Sequence, residues 1–201
     1  MPLSASSPSS LIVPAAQAES YLGRLGISIN AIYQAAELGD LRASEIDEFH
    51  PIGAAGVTRW IGTVGGLRRG MVDAGPGWMK SDKRNRPTVE RADKQVTLSV
   101  VGCDAATGDP ESAAGPRADH RRGRATIDAL NDQMELITVA ALLNQESMLG
   151  VSIDDDPPLG QWFLLYHRGE DEVRLEVSKA AGIVEEGSGL RTGQFDGWGV
   201  R

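Results

Sequence analysis

Between residues 96 and 101 apolar and polar positions alternate: Val96, Leu98 and Val100 fall on one side, Thr97 and Ser99 on the other. A period of two is that of a pleated strand with one buried face, which makes this the firmest strand prediction in the chain. Residues 162–166 (WFLLY) are continuously apolar and 167–171 supply turn residues. After them Val173, Leu175 and Val177 alternate with Arg174, Glu176 and Ser178. The two runs predict a β-hairpin with one strand buried and the other half-exposed. Residues 182–201 are glycine-rich, contain Trp198, and predict a last edge strand.

The N-terminal part repeats at helical spacing instead. Pro14 suits a first helical turn, Ala15, Ala18, Leu22 and Leu25 follow on one side, and Gly26 stops the run. Ser28 predicts the N-cap of a second helix, with Ile29, Ile32, Tyr33 and Ala36 on its inner face and Gly39 at its end. A third helix is predicted over residues 54–71 on the stripe Val57, Trp60, Ile61, Val64 and Leu67. Gly62, Gly65 and Gly66 each weaken it by about 1 kcal/mol relative to alanine, so it must lean on its packing. A long loop over 102–126 and one long helix from about 124 to 149 complete the set. The fold class expected is α+β, a helical N-terminal half packed with a small, mostly antiparallel sheet in the C-terminal half. Residues 1–13, mixed Ser, Pro and Ala, are expected as a flexible leader. Residues 14–201 are expected as one domain, helical over 14–75 and sheet-containing over 76–201.

The chain's 201 residues, 41% hydrophobic, suffice for a substantial core. There is no run of eighteen apolar residues, and the first eighteen residues lack the basic start and apolar stretch of a signal peptide. Cys103 is the single cysteine, so no disulfide forms within the chain; a reducing compartment, the cytoplasm, is expected. The net charge of −8 is unevenly spread. Residues 1–58 hold two basic and six acidic side chains, 59–124 thirteen and eight, and 125–201 five and fourteen. An acidic whole disfavours indiscriminate polyanion binding, while the positive middle suits a local anion. That middle could equally dock on the chain's own acidic ends.

The positive charge gathers in two segments. One is led by Trp78 and holds Lys80, Lys83, Arg84 and Arg86; the other holds Arg121, Arg122 and Arg124. Forked guanidinium groups grip phosphate or carboxylate, and an exposed Trp78 would stack on a base. These eight residues are the anion- or nucleic-acid-binding candidates, on the expectation that the sheet brings the two segments together. Neither a P-loop nor a dinucleotide glycine pattern occurs, and no cofactor or metal is expected. Asp104, Asp109 and His120 define a weaker alternative, a metal-dependent hydrolase or nuclease, but their spacing matches no familiar ion site. The three aspartates at 154–156 read as a solvated turn before Pro157.

Residues 18–41, a helix, a glycine turn and a helix, resemble in outline the helix-turn-helix of excisionase-like DNA-binding proteins. The resemblance implies a second helix entering the major groove. Here that helix offers Asn30 and Gln34, carries Glu37, and has no Lys or Arg over 28–38, so a plain helical hairpin stands beside it as an explanation. Across most of the chain His50-Pro51, the helix from Trp60, Gly77-Trp78, the Val96 strand, Gly123-Arg124-Ala125-Thr126 and WFLLYHR are similar to a layout found in bacterial proteins with no assigned activity. The function expected is a bacterial cytoplasmic binding module whose basic central surface takes nucleic acid or another phosphate-bearing partner. The alternatives are an adaptor for an acidic protein and a self-assembling structural protein, the latter using apolar edge strands as a homo-oligomer.

Overall fold

A computed structural model of the chain describes residues 11–75, 77–109, 111–112, 115–119, 128, 153–179, 182–186, 189–194 and 198–200. The long helix expected from about 124 to 149 falls outside them, apart from Asp128, which is helical. Three helices stand in the N-terminal half: α1 (Ala15–Arg24), α2 (Ile29–Ala43) and α3 (Ala54–Asp73). Nine strands follow or flank them among the described residues: β1 (Leu11–Val13), β2 (Trp78–Ser81), β3 (Thr88–Arg91), β4 (Val96–Gly102), β5 (Gly160–Arg168), β6 (Val173–Lys179), β7 (Gly182–Glu186), β8 (Gly189–Gln194) and β9 (Trp198–Val200). Seven form one sheet in the order β1-β9-β6-β5-β4-β3-β2, and β7 and β8 pair separately. Pairing is antiparallel except at β1–β9 and β4–β5, so the α+β class and the mostly antiparallel sheet stand as expected. Leu11–Val13 lies in the stretch expected as leader, yet it forms the edge strand beside β9, with Val13 only 1% exposed.

The expected strand at residues 96–101 is β4, and its alternation holds: Val96, Leu98 and Val100 are buried beneath the helices, while Thr97 and Ser99 turn to the other face. The helix-bearing face of the sheet continues through Val89, Trp162, Leu164 and Val177, packed against Leu22, Ile32, Val64, Leu67 and Met71. The opposite face carries a smaller cluster, Val101, Cys103, Phe163 and Leu165, with Ala118 against it. The predicted hairpin is β5 and β6, in the register Phe163↔Ser178 to Arg168↔Val173.

The helix starts were legible. Pro14 stands at the head of α1, and the Ser28 hydroxyl accepts the Ala31 amide at 3.2 Å at the head of α2. Gly26 takes the left-handed φ of 75° that lets the chain turn between the two helices. Gly39 does not end α2, which runs on to Ala43; it is buried at the crossing with α3. The face expected for α3 is also rotated: Val57 and Ile61 are 58% and 50% exposed, while Gly62, Thr63 and Gly66 are buried.

The reason is a stripe of small residues on each helix. Ala31, Ala35 and Gly39 of α2 recur every four residues, as do Gly62, Gly66 and Gly70 of α3. A Cβ added at Gly62 would lie 2.9 Å from the Gly39 Cα, one at Gly66 2.8 Å from the Ala35 Cα, and one at Gly70 2.9 Å from the Ala31 Cβ. The backbones therefore meet directly, at a separation no larger side chain permits. Each glycine still weakens the isolated helix, and the close contact repays it in dispersion across the whole crossing.

Lys179 is the odd group in the core. It is 4% exposed at the end of β6, donates to the Leu159 carbonyl at 2.6 Å, and lies 6.0 Å from the Trp162 ring centre. Burial pushes its ammonium down to about 8.

Two outcomes follow from these contacts. Gly66→Ala should lower the urea midpoint, with a loss of about 2 kcal/mol or more through overpacking. Gly65→Ala, one residue away where an added Cβ meets nothing within 4 Å, should raise stability by about 0.5–1 kcal/mol. For Lys179, the folded state releases its proton before the unfolded state does. The charge-burial penalty is therefore complete below pH 8 and fades as pH rises from about 8 towards 10.5. Urea unfolding of the native protein and of Lys179→Met across that window should show the native protein gaining on the variant, by at most about 3 kcal/mol.

Candidate anion-binding surface

Residues 78–91, which carry the first basic segment, are a β-hairpin: β2 and β3 pair in the register Trp78↔Arg91 to Ser81↔Thr88. A 3-10 turn, Lys83–Asn85, closes it, with Arg84 and Asn85 at φ of 54° and 58°. Pro87 lies between this turn and β3, where its missing N–H and fixed φ keep a helix from running through.

The root of the hairpin is tied to the helices. Trp78 is 7% exposed and its indole N–H donates to the Gly26 carbonyl at 2.9 Å. It is a buried strut and not the stacking platform expected of it, because its ring packs in the main core and its one donor is taken. Arg91 donates to the Leu25 carbonyl at 3.1 Å and pairs with Asp93, whose carboxyl these bonds hold below the usual range. Arg68 of α3 reaches the Thr88 carbonyl at 3.1 Å, the Ser81 carbonyl and the Asp82 carboxylate.

The four remaining basic candidates of this segment divide between the two faces and the tip. Lys80 is opposite Val89 and so shares the helix-bearing face, where it is exposed. Lys83 points towards the other face and meets Glu90 at 3.2 Å, with 71% of its side chain still in solvent. Arg86 is half-buried on that face and donates to Gln161 Oε1 at 2.6 Å. Gln161 also accepts from the Thr97 hydroxyl at 2.8 Å and donates to Ser99 at 3.1 Å, so Arg86 closes a network spanning β4 and β5. Burial lowers the pKa of Arg86, opposed by Glu90 and reinforced by Arg84; a guanidinium stays charged regardless. Arg84 is exposed at the tip. Arg121, Arg122 and Arg124 lie outside the described residues, as does His120.

Two aspartates of the alternative metal site bond to nearby backbone amides. Asp104 Oδ1 accepts the amides of Ala106 and Arg117 at 3.2 and 3.1 Å, and Asp109 Oδ1 accepts the amide of Glu111 at 2.9 Å. Among the described residues no three His, Cys, Asp or Glu side chains group as metal ligands. No helix among them is long and apolar enough to cross a membrane. On α2 the exposed positions include Asn30, Tyr33, Gln34 and Glu37, and its buried ones face α3 and the sheet.

Sequence reasoning missed a cleft of about 440 Å3 lined by Gly56, Val57, Arg59, Trp60, Gly102, Asp119, Tyr166, His167 and Arg168. It forms where the first turns of α3 meet the carboxyl ends of the parallel pair β4 and β5. No local motif could announce it, because four segments far apart in the chain supply its walls. The one available signal was the polar ending of the WFLLYHR run, where a buried strand finishes in Tyr, His and Arg. No family model, curated protein or solved structure matches the chain.

Proposed function

We propose that the protein is a binding module that engages a phosphate-bearing partner, nucleic acid foremost, through the tip of the β2–β3 hairpin. The observation that supports it is a rigid mount carrying exposed cations. The hairpin root is fixed by Trp78, Arg68 and Arg91, while Lys80, Lys83 and Arg84 stand in solvent around the turn. Ordering these groups in advance reduces the entropy lost on binding. Arg86 belongs to the same reading as a half-buried guanidinium that steadies the turn from below. The second basic segment at 121–124 would extend this surface if it runs alongside. Cys103, buried and the single cysteine of the chain, fits the reducing interior of a bacterial cell, in keeping with the likeness of layout noted from the sequence.

Filter binding of labelled single- and double-stranded DNA over a range of salt concentrations tests the reading. Affinity should fall steeply with salt, and Lys83→Gln and Arg84→Gln should each flatten the slope of log affinity against log salt by about 1. An acidic protein partner gives a milder salt dependence. Absence of binding to either DNA at low salt overturns the nucleic-acid version, and slopes unchanged in both variants overturn the hairpin as its site.

A further inference from the structure

The connection from α2 to α3 places apolar side chains in solvent. Phe49 is 88% exposed and Ile52 fully so, in a stretch where every residue from Ser44 to Gly53 except Ile46 is exposed. The stretch is nonetheless ordered by its own bonds. The amides of Ile46, His50 and Ala54 donate to the carbonyls of Ala43, Asp47 and Pro51 at 3.2, 3.1 and 2.8 Å. Asp47 Oδ1 accepts the Phe49 amide at 3.1 Å and lies 2.6 Å from His50 Nδ1. Phe49 and Ile52 are thus presented from a fixed backbone, which lowers the ordering cost of a contact made through them. Val57 and Ile61, one turn apart, add exposed apolar surface on the first turns of α3. Large apolar groups set among charges on a surface mark a place where another molecule docks.

The charges around Phe49 and Ile52 are negative. Glu45, Asp47 and Glu48 are exposed, and no Lys or Arg occurs over residues 43–58. Of the arginines on either side, Arg42 lies along Gly62 of α3 and Arg59 pairs with Asp40. The β2–β3 hairpin carries the reverse pattern. Met79 is 48% exposed and stands opposite Glu90, which Lys83 meets at 3.2 Å, so Met79 and Lys83 share a face. Arg84 is exposed next to Lys83 in the turn. Within one chain α3 stands between the two surfaces. The acidic connection enters it at Gly53, and the hairpin is held by Arg68, about four turns further along.

We infer that the acidic α2–α3 connection of one copy docks on the basic hairpin of a second copy, Phe49 and Ile52 against Met79, with Glu45 and Glu48 facing Lys83 and Arg84. Opposite charges around an apolar contact set its register and exclude connection against connection or hairpin against hairpin. Every copy carries both surfaces, so two copies either close as a pair with both contacts made or continue head to tail. The inference stands whether or not the hairpin also takes nucleic acid, which would compete for the same cations.

Size-exclusion chromatography with light scattering, on the full chain freed of nucleic acid, tests it. At low salt the mass should rise with protein concentration above that of one chain, and it should fall back at high salt. Phe49→Ser, at an exposed position, should weaken the association tenfold or more. Two charge-reversed proteins, Glu45→Lys with Glu48→Lys and Lys83→Glu with Arg84→Glu, should each remain single chains when alone. Their equimolar mixture should associate, because each connection then meets a hairpin of opposite charge, and that recovery also shows that both variants fold. A native chain that stays single at every concentration in low salt overturns the inference, as does association that survives in either reversed protein, or a mixture that remains single chains.

Discussion

The backbones of α2 and α3 touch because both helices carry small residues where they cross. Ala31, Ala35 and Gly39 face Gly62, Gly66 and Gly70, and the gap between them is too small for one further carbon at any of the three α3 glycines. This contact fixes how α2 and α3 lie together on the helical side of the sheet. It leaves Val64, Leu67 and Met71 of α3 and Ile32 of α2 to fill the space above β4 and β5. It also brings Asp40 within 2.8 Å of Arg59, the pair that Arg168 joins from the end of β5. A little further along α3, Arg68 reaches down to hold both strands of the basic hairpin.

The uneven charge of the chain resolves into short-range arrangements. Arg68 pairs with Asp82, Lys83 with Glu90 and Arg91 with Asp93, all within the positive middle segment. Only some of its cations reach the acidic ends, Arg59 to Asp40 being the clear case, while Arg86 turns to the neutral Gln161. In each pair one partner stands open to solvent, where screening weakens the attraction. A traffic in the reverse direction also exists: Arg24, from the acidic N-terminal part, holds the carbonyls of Ile153, Asp154 and Asp155 at 2.6–3.0 Å. The aspartates at 154 and 155 thus sit in a turn whose backbone carbonyls meet the Arg24 guanidinium.

Elements with one buried face and one solvated face were legible in the sequence. The alternation at Val96–Gly102, the apolar run of β5 and the Pro14 and Ser28 starts all record a local choice that the fold keeps. What escaped depends on contacts between distant segments. Glycine counts as a helix breaker until a second stripe of small residues is known to face it, so Gly39 read as a terminus and Gly62 and Gly66 as weaknesses. The β2–β3 hairpin escaped because its buried positions, Trp78, Thr88 and Val89, are interrupted by charge that snorkels or pairs at the rim. Parallel pairing of β4 with β5 joins Val96 to Gly160 and Gly102 to Tyr166, and no short pattern encodes it. Of the anion-binding candidates, the exposure of Lys80, Lys83 and Arg84 was readable from their polarity, whereas the burial of Trp78 was decided by Gly26, some fifty residues upstream.

A double-mutant cycle between Gly39 and Thr63 measures the helix crossing most directly. A Cβ at position 39 overlaps the Thr63 hydroxyl, and Thr63→Ala removes that oxygen. If the two backbones are as close as described, the destabilisation by Gly39→Ala in urea unfolding falls by about 1 kcal/mol or more once Thr63 is alanine. Strict additivity, within about 0.3 kcal/mol, would mean that the helices do not meet at this point and that the positions built upon their contact are wrong.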